Sequence, residues 1–285
     1  MLLKRKLSVL WAAAIMLLAV LMASGAALAI TYGTDDGEKH RGVGALVDGS
    51  GAYCSGTLVD GKQSAKNPTG APVFVTAAHC DYPGKVYVTF DSAFDITQQE
   101  SQAIRESKDF TGSTLEKDYE GTLADDGQWY VRGHDIAVVV FKAPDADLLG
   151  RPRAKLPKVD ALDNLGKGQL FTAVGYGVDQ TFANEGVRRY SVSSLTSQNS
   201  YFLSLSQQRK KGFAGTCYGD SGGPNFFGRY HDDPTLNTQT YINAALTNTG
   251  DAQCKTKNTV LRLDTQVAHN FLDDYVPDSA FVGLQ

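Results

Sequence analysis

Short apolar runs separated by turn residues constrain the fold of this chain more than any other feature. Runs rich in β-branched and aromatic residues, such as Gly42–Val47, Ile136–Phe141 and Tyr241–Leu246, are bounded by clusters of Gly, Pro, Asp and Asn. This spacing favours an all-β sandwich or barrel over alternating βα units. One α-helix is predicted near the C-terminus, where Asp264 or Thr265 can cap a segment with one apolar face.

The first 29 residues have the pattern of an export signal. A basic stretch, Lys4–Lys6, precedes an apolar run, Val9–Met22, and the segment ends in the cleavage pattern Ala27–Ala29. Cleavage there predicts a secreted, extracellular protein, or a periplasmic one in a cell with two membranes. The alternative is an uncleaved membrane anchor, because Val9–Ala29 could cross about 30 Å of hydrocarbon as a helix.

The composition limits the possible partners. The net charge of −4 over 285 residues gives the protein no electrostatic reason to bind nucleic acid or, after signal cleavage, a membrane. The acid-rich stretch Glu116–Asp126 is predicted to be a solvated loop. The stretch Lys142–Pro157, with its prolines and charges, is the best candidate for a link between two halves of the chain.

Four cysteines, an even number behind an export signal, predict disulfides. Three pairings are possible from the sequence alone. A metal site is the competing interpretation, but no CxxC pair and no His pair has ligand spacing. We therefore expect no metal.

Three short motifs carry residue types suited to hydrolysis. They contain His79, Asp135 and Ser221, in the segments TAAHC (76–80), HDIAVV (134–139) and GDSGGP (219–224). A serine hydroxyl needs a neutral imidazole to take its proton, and the imidazole needs a carboxylate on its other nitrogen to fix its tautomer. Together the motifs predict nucleophilic catalysis that requires no cofactor.

In the order His, Asp, Ser, these motifs resemble the chymotrypsin/trypsin family of serine proteases, of the bacterial secreted type. The resemblance extends from about Ile30 to the C-terminal helix. It implies two six-stranded antiparallel β-barrels packed at a cleft, with a C-terminal α-helix. The expected division is a signal peptide at 1–29, an N-terminal barrel at 30–148 and a C-terminal barrel with the helix at 149–285.

The resemblance also implies a role for each residue of the three motifs. His79 is the general base and then the general acid, Asp135 orients it, and Ser221 attacks the scissile carbonyl of a protein or peptide substrate. The backbone N–H groups of Gly219 and Ser221 form the oxyanion hole. Asp220 is expected to pair with the α-amino group of a new N-terminus at Ile30, so that signal cleavage itself releases an active, monomeric enzyme.

The disulfides and the specificity pocket follow from the same resemblance. It implies Cys54–Cys80 beside His79 and Cys217–Cys254 at the pocket. Gly215 stands where trypsins carry Asp, so cleavage after Lys or Arg is disfavoured. A narrowed pocket that accepts small or medium apolar P1 side chains is expected. Its predicted residues are Gly215, Thr216, Thr247, Gly250 and Thr259.

Two other functions remain open at this stage. GDSGG also fits the G-x-S-x-G pattern of α/β-hydrolase esterases, but there the serine precedes a helix and the histidine comes last. The other alternative is a protease-like binding protein that has lost catalysis, because fold alone does not establish activity.

Overall fold

The computed structural model describes residues 30–48, 51–81, 87–94, 114–123, 129–141 and 144–284. The predicted export signal, residues 1–29, lies outside the described residues. Within the described part of the chain, no helix is long and apolar enough to cross a membrane.

The chain begins with a two-residue strand, β1 (Thr34–Asp35), and then forms a sheet of six antiparallel strands in the order β5-β2-β3-β4-β7-β6. These strands are β2 (Val43–Asp48), β3 (Gly51–Val59), β4 (Val73–Thr76), β5 (Tyr87–Thr89), β6 (Thr114–Leu123) and β7 (Trp129–Val140). Leu46, Leu58, Phe74 and Val139 pack together in its core, and all four are fully buried.

Six strands of a second sheet form a barrel, which is closed by antiparallel pairing between β9 and β10. These are β9 (Leu170–Gly175), β10 (Arg189–Gln198), β11 (Phe202–Ser206), β12 (Pro224–Phe227), β13 (Asn243–Gly250) and β14 (Lys257–Arg262). Strand β1 adds to β10 as a seventh member. The start of the described chain therefore lies on the second sheet, although it precedes the first sheet in sequence.

Two short elements lie in the connection between the sheets: α1 (Ala146–Gly150) and β8 (Leu156–Pro157). After the second sheet follow α2 (Gln266–Leu272) and β15 (Phe281–Val282), and β15 pairs with β8 in parallel.

Helix α2 joins the two sheets. Thr265 caps it, because its side-chain oxygen accepts a hydrogen bond from the Ala268 N–H at 3.1 Å. Ala268 and Leu272 are fully buried in one cluster with Ile136 and Val138 of the first sheet. The apolar face predicted from the sequence thus packs across the molecule onto β7.

The all-β prediction, with two six-stranded antiparallel sheets and a C-terminal helix, is confirmed. The prediction of a loop over Glu116–Asp126 is wrong for residues 116–123, because Thr114–Leu123 forms β6 and pairs with β7. Residues 124–126 lie outside the described residues. Strand β6 is the last strand of its sheet, and charged residues are tolerated on such an edge. The predicted link Lys142–Pro157 contains α1 and β8.

Candidate active site

His79 lies directly after β4, in a 3₁₀ turn over Ala78–Cys80. The Cys54–Cys80 disulfide fixes this turn to β3. The Asp135 carboxylate accepts the His79 backbone N–H at 2.8 Å and the Nδ1–H of its ring at 2.7 Å. A carboxylate on Nδ1 leaves the other ring nitrogen, Nε2, as the proton acceptor.

Asp135 itself is buried, with 1% of its surface exposed. Its Oδ2 accepts a further hydrogen bond from the side-chain amide of Asn248, on β13 of the second sheet. Asn248 was not predicted from the sequence, because its segment, residues 247–250, belongs to none of the three motifs.

Ser221 lies beside the His79 turn, and backbone contacts hold it there. The Ser55 N–H donates to the Ser221 carbonyl at 2.8 Å, and the Gly222 N–H donates to the Thr247 carbonyl at 2.8 Å. A Cβ at Gly222, where φ is +76°, would lie 2.2 Å from Thr76 Oγ1, so only glycine fits this approach. Among the described residues, no hydrogen bond joins Ser221 Oγ to His79.

The loop before Ser221 presents two free backbone donors. Within the described chain, neither the Gly219 N–H nor the Ser221 N–H has an acceptor. Gly219 has a φ of +93°, and its carbonyl accepts the Ser55 hydroxyl at 2.9 Å. Ser55, which was also missed from the sequence, accepts the Tyr176 N–H at 3.0 Å. This loop is therefore held by the first sheet while its own N–H groups remain available.

Asp220 points away from this loop into the interior and is 1% exposed. Its two oxygens accept the backbone N–H groups of Gly177 and Cys217, each at 2.8 Å. A Cβ at Gly175 or Gly177 would lie within 2.2–2.3 Å of the carboxylate, so these two glycines create its space. Burial raises the pKa of Asp220 to about 7, although both backbone hydrogen bonds and the charge of Arg189 oppose the shift.

Ile30 lies against the same segment. It is fully buried, and its N–H donates to the Gly177 carbonyl at 3.4 Å. Thr31 fixes the position, since its hydroxyl contacts the carbonyls of Gly215 at 3.0 Å and Cys254 at 2.9 Å. The predicted N-terminus is thus next to the residue that binds Asp220, but no hydrogen bond between Ile30 and Asp220 is present in the described chain.

Three of the five predicted specificity residues, Gly215, Thr216 and Gly250, lie around the buried side chain of Gln207. Gln207 itself was not predicted from the sequence. A Cβ at Gly215 would lie 2.1 Å from Gln207 Oε1, and Thr216 donates to that oxygen at 3.3 Å. Gly250 adjoins the Gln207 amide nitrogen, which has no hydrogen-bond partner among the described residues. Gln207 is 3% exposed, so it fills the space beneath Gly215.

The other two predicted residues, Thr247 and Thr259, lie on β13 and β14. Thr247 is buried, and its hydroxyl accepts the Asn225 amide at 3.0 Å. Thr259 lies on β14 opposite Thr249. The second disulfide joins Cys217 to Cys254, as the resemblance implies.

Metal binding has no support at the one group of potential ligands in the described chain. Cys54, Cys80 and His79 place ligand atoms within 4.8 Å of one another. Both sulfurs belong to the disulfide, however, and only a thiolate is a useful metal ligand.

Comparisons with known proteins agree with this architecture. Three solved structures are 13–14% identical to the chain, with TM-scores of 0.56–0.57. They are HBP at atomic resolution, human heparin binding protein and a mutant of that human protein. Each match covers 86% of this chain and 95% of the other. No curated protein is significantly similar in sequence. The family model described as Trypsin matches residues 44–260, well over half of the sequence, and the chain therefore belongs to the trypsin family.

Proposed function

We propose that this protein is a secreted serine endopeptidase that hydrolyses peptide bonds through an acyl-enzyme intermediate. The observation that carries the proposal is the pair of hydrogen bonds from His79 to the buried Asp135, beside the Ser221 loop. Members of the trypsin family act on proteins or peptides. The disulfides are typical of extracellular proteins.

In the proposed mechanism, Ser221 Oγ attacks the scissile carbonyl while His79 Nε2 takes its proton. The charge of the imidazolium is stabilised by Asp135. The oxyanion accepts hydrogen bonds from the free N–H groups of Gly219 and Ser221. His79 then protonates the leaving amine, and a water molecule activated by the same imidazole releases the acyl group.

The missing bond between Ser221 and His79 is compatible with this mechanism. Hydrogen bonds of catalytic groups are often long or poorly aligned without substrate and tighten in the substrate complex. The backbone contacts of Ser221 bring the residue to the turn that carries His79.

The N-terminus at Ile30 forms part of the proposal. Ile30 has a φ of +48°, a conformation that β-branched residues rarely adopt. Cleavage of the preceding peptide bond removes this constraint and creates an α-amino group next to Gly177. The ammonium group would pair with Asp220, whose carboxylate is otherwise held by two backbone N–H groups. The active enzyme is then a monomer that needs no further processing and no cofactor.

We further propose a preference for small or medium apolar P1 residues. Gly215 offers no carboxylate to a Lys or Arg side chain, and Gln207 occupies the space beneath it. A peptide-library digest tests the preference, and dominant cleavage after Lys or Arg would contradict it.

A catalytically impaired binding protein is the second candidate, favoured by the missing Ser221–His79 bond and by neighbours named for heparin binding. A net charge of −4 does not favour a polyanion such as heparin as the ligand. A fluorophosphonate probe separates the two candidates. The endopeptidase reacts at Ser221, and the reaction disappears in Ser221→Ala. Intact folded protein that does not react and cleaves no peptide would support the binding protein.

A further inference from the structure

A pocket of about 510 Å³ lies on the second sheet, away from the residues assigned above to catalysis and specificity. Its volume is in the range of small-molecule sites, about 300–1,000 Å³. Its lining includes Tyr32 and Thr34 of the N-terminal segment and the loop 211–214 that leads into Gly215. The pocket is therefore bordered by two segments that both reach the proposed active site.

The inner surface of this pocket is aromatic. The rings of Tyr190 and Tyr230 meet edge to face with centroids 5.0 Å apart, and Phe213 lies in the same lining.

The rim of the pocket carries two cationic side chains. In the described chain, neither Lys211 nor Arg229 forms a side-chain ion pair. Asp232 also lines the rim, but it interacts with Lys39 at 3.8 Å. His231 accepts the Asp233 N–H on Nδ1 at 3.0 Å, which leaves the proton on Nε2 as a further donor.

We propose that this pocket binds a small aromatic carboxylate and that the ligand activates the enzyme. The carboxylate lies between Lys211 and Arg229, and the ring packs on Tyr190 and Tyr230. The effect on activity rests on the proposed endopeptidase function, whereas binding does not.

We expect activation because the two segments that border the pocket, the N-terminal segment and the loop that leads into Gly215, are also joined to each other. The Gly215 N–H donates to the Thr31 carbonyl at 3.1 Å, and the Arg209 guanidinium stacks 3.9 Å above the Tyr32 ring. A ligand that contacts both segments strengthens the docking of the N-terminal segment on the second sheet. This docking brings Ile30 towards Asp220. A ligand that binds the docked state better than the undocked state shifts the population towards it.

Calorimetric titration of the purified protein tests binding. Indole-3-acetate is the probe, and indole-3-acetamide is its uncharged match. Because two rim charges are worth about 1 kcal/mol together, we expect the amide to bind about fivefold more weakly. The double substitution Lys211→Gln, Arg229→Gln should weaken the acid to the same extent. Lys210→Gln, at an exposed neighbour outside the pocket, is the matched control and should change nothing.

Equal affinities for acid and amide, or an acid affinity unchanged in the double variant, would overturn the site. Both rim side chains are exposed and form no ion pair with the residues that the structure describes, so their replacement is not expected to impair folding.

The activating effect has two readouts. Saturating indole-3-acetate should slow hydrogen exchange in residues 30–34 and raise kcat/KM by about fivefold, at the low end of known coupling. Neither change should occur in the double variant. Binding without slower exchange would refute the coupling. If the protein cleaves no peptide at all, the proposed function fails, and calorimetry and exchange still decide the site.

Discussion

Adding one glycine before Ile30 in protein that otherwise begins there should remove the charge that stabilises Asp220. Ile30 N is then an uncharged amide, and the new α-amino group lies up to about 3.8 Å further away. With Ile30 in a peptide bond, burial raises the pKa of Asp220 from 3.8 to about 7. Three pKa units correspond to about 4 kcal/mol for an ionised, unpaired carboxylate. This is the upper bound on the loss, so we expect kcat/KM at pH 8 to fall by about 10²–10³-fold.

The glycine extension should also make the stability of the protein depend on pH. In the glycine-extended protein the Asp220 carboxyl has a higher pKa folded than unfolded, so ionisation favours unfolding. The free energy of unfolding of the glycine-extended protein, relative to that of protein that begins at Ile30, should therefore decrease as the pH rises from about 4 to about 7 and then level off. In the reference protein the ammonium group, with a pKa near 8 or above, pairs with the carboxylate across this range. Thermal unfolding of both forms from pH 4.5 to 8 measures the difference.

The Asp220→Asn substitution, made in both N-terminal forms, isolates the ion pair. Without the carboxylate, the two forms should show a stability difference that no longer changes with pH. If glycine extension reduces the stability of Asp220→Asn with the same pH dependence, the ion pair is not the cause. Full activity of the glycine-extended protein would refute the reasoning outright.

Three further predictions follow from the site. Asn248→Ala removes a hydrogen bond to the Asp135 carboxylate, worth about 1.5–3 kcal/mol, so kcat should fall by about 10–100-fold with little change in KM, measured with a peptide substrate. Gln207→Ala opens the space beneath Gly215, and a peptide-library digest should show P1 preference moving to larger apolar residues. Replacing Cys217 and Cys254 by serine removes a link across 37 residues, so the free energy of unfolding in denaturant should fall by about 4 kcal/mol.

The sequence predicted the chemical groups of the candidate site because each motif preserves a residue type that the reaction requires. His79 and Asp135 are 56 positions apart, yet the motif order alone indicated that they meet. The disulfide partners followed from the same resemblance, which fixed one of three pairings. Where chemistry limits the choice of residue, a short motif is informative.

The residues that support the site could not be predicted in this way. Asn248 and Gln207 act through the direction of their side chains, and many residue types could fill those positions. The loop prediction was wrong over residues 116–123 because local polarity favours a loop, whereas pairing with β7 decides the conformation of these residues. Likewise, β1 joins β10 through backbone hydrogen bonds that no local pattern of Thr34–Asp35 announces.

Ser55 tests whether the first sheet positions the oxyanion loop. Its hydroxyl accepts the Tyr176 N–H and donates to the Gly219 carbonyl, while its own N–H holds the Ser221 carbonyl. Ser55→Ala leaves the two groups bound by the hydroxyl without partners, at about 1–3 kcal/mol each. We expect kcat for a peptide substrate to fall by about 10–100-fold.

Thr57→Ala is the matched control on the same strand, because its buried hydroxyl also bonds a backbone carbonyl, but away from this loop. It should lower the unfolding temperature without lowering kcat, since the hydroxyl does not contact the donors at Gly219 and Ser221. Equal losses of kcat in both variants would mean that general destabilisation, and not the position of the oxyanion loop, limits the reaction.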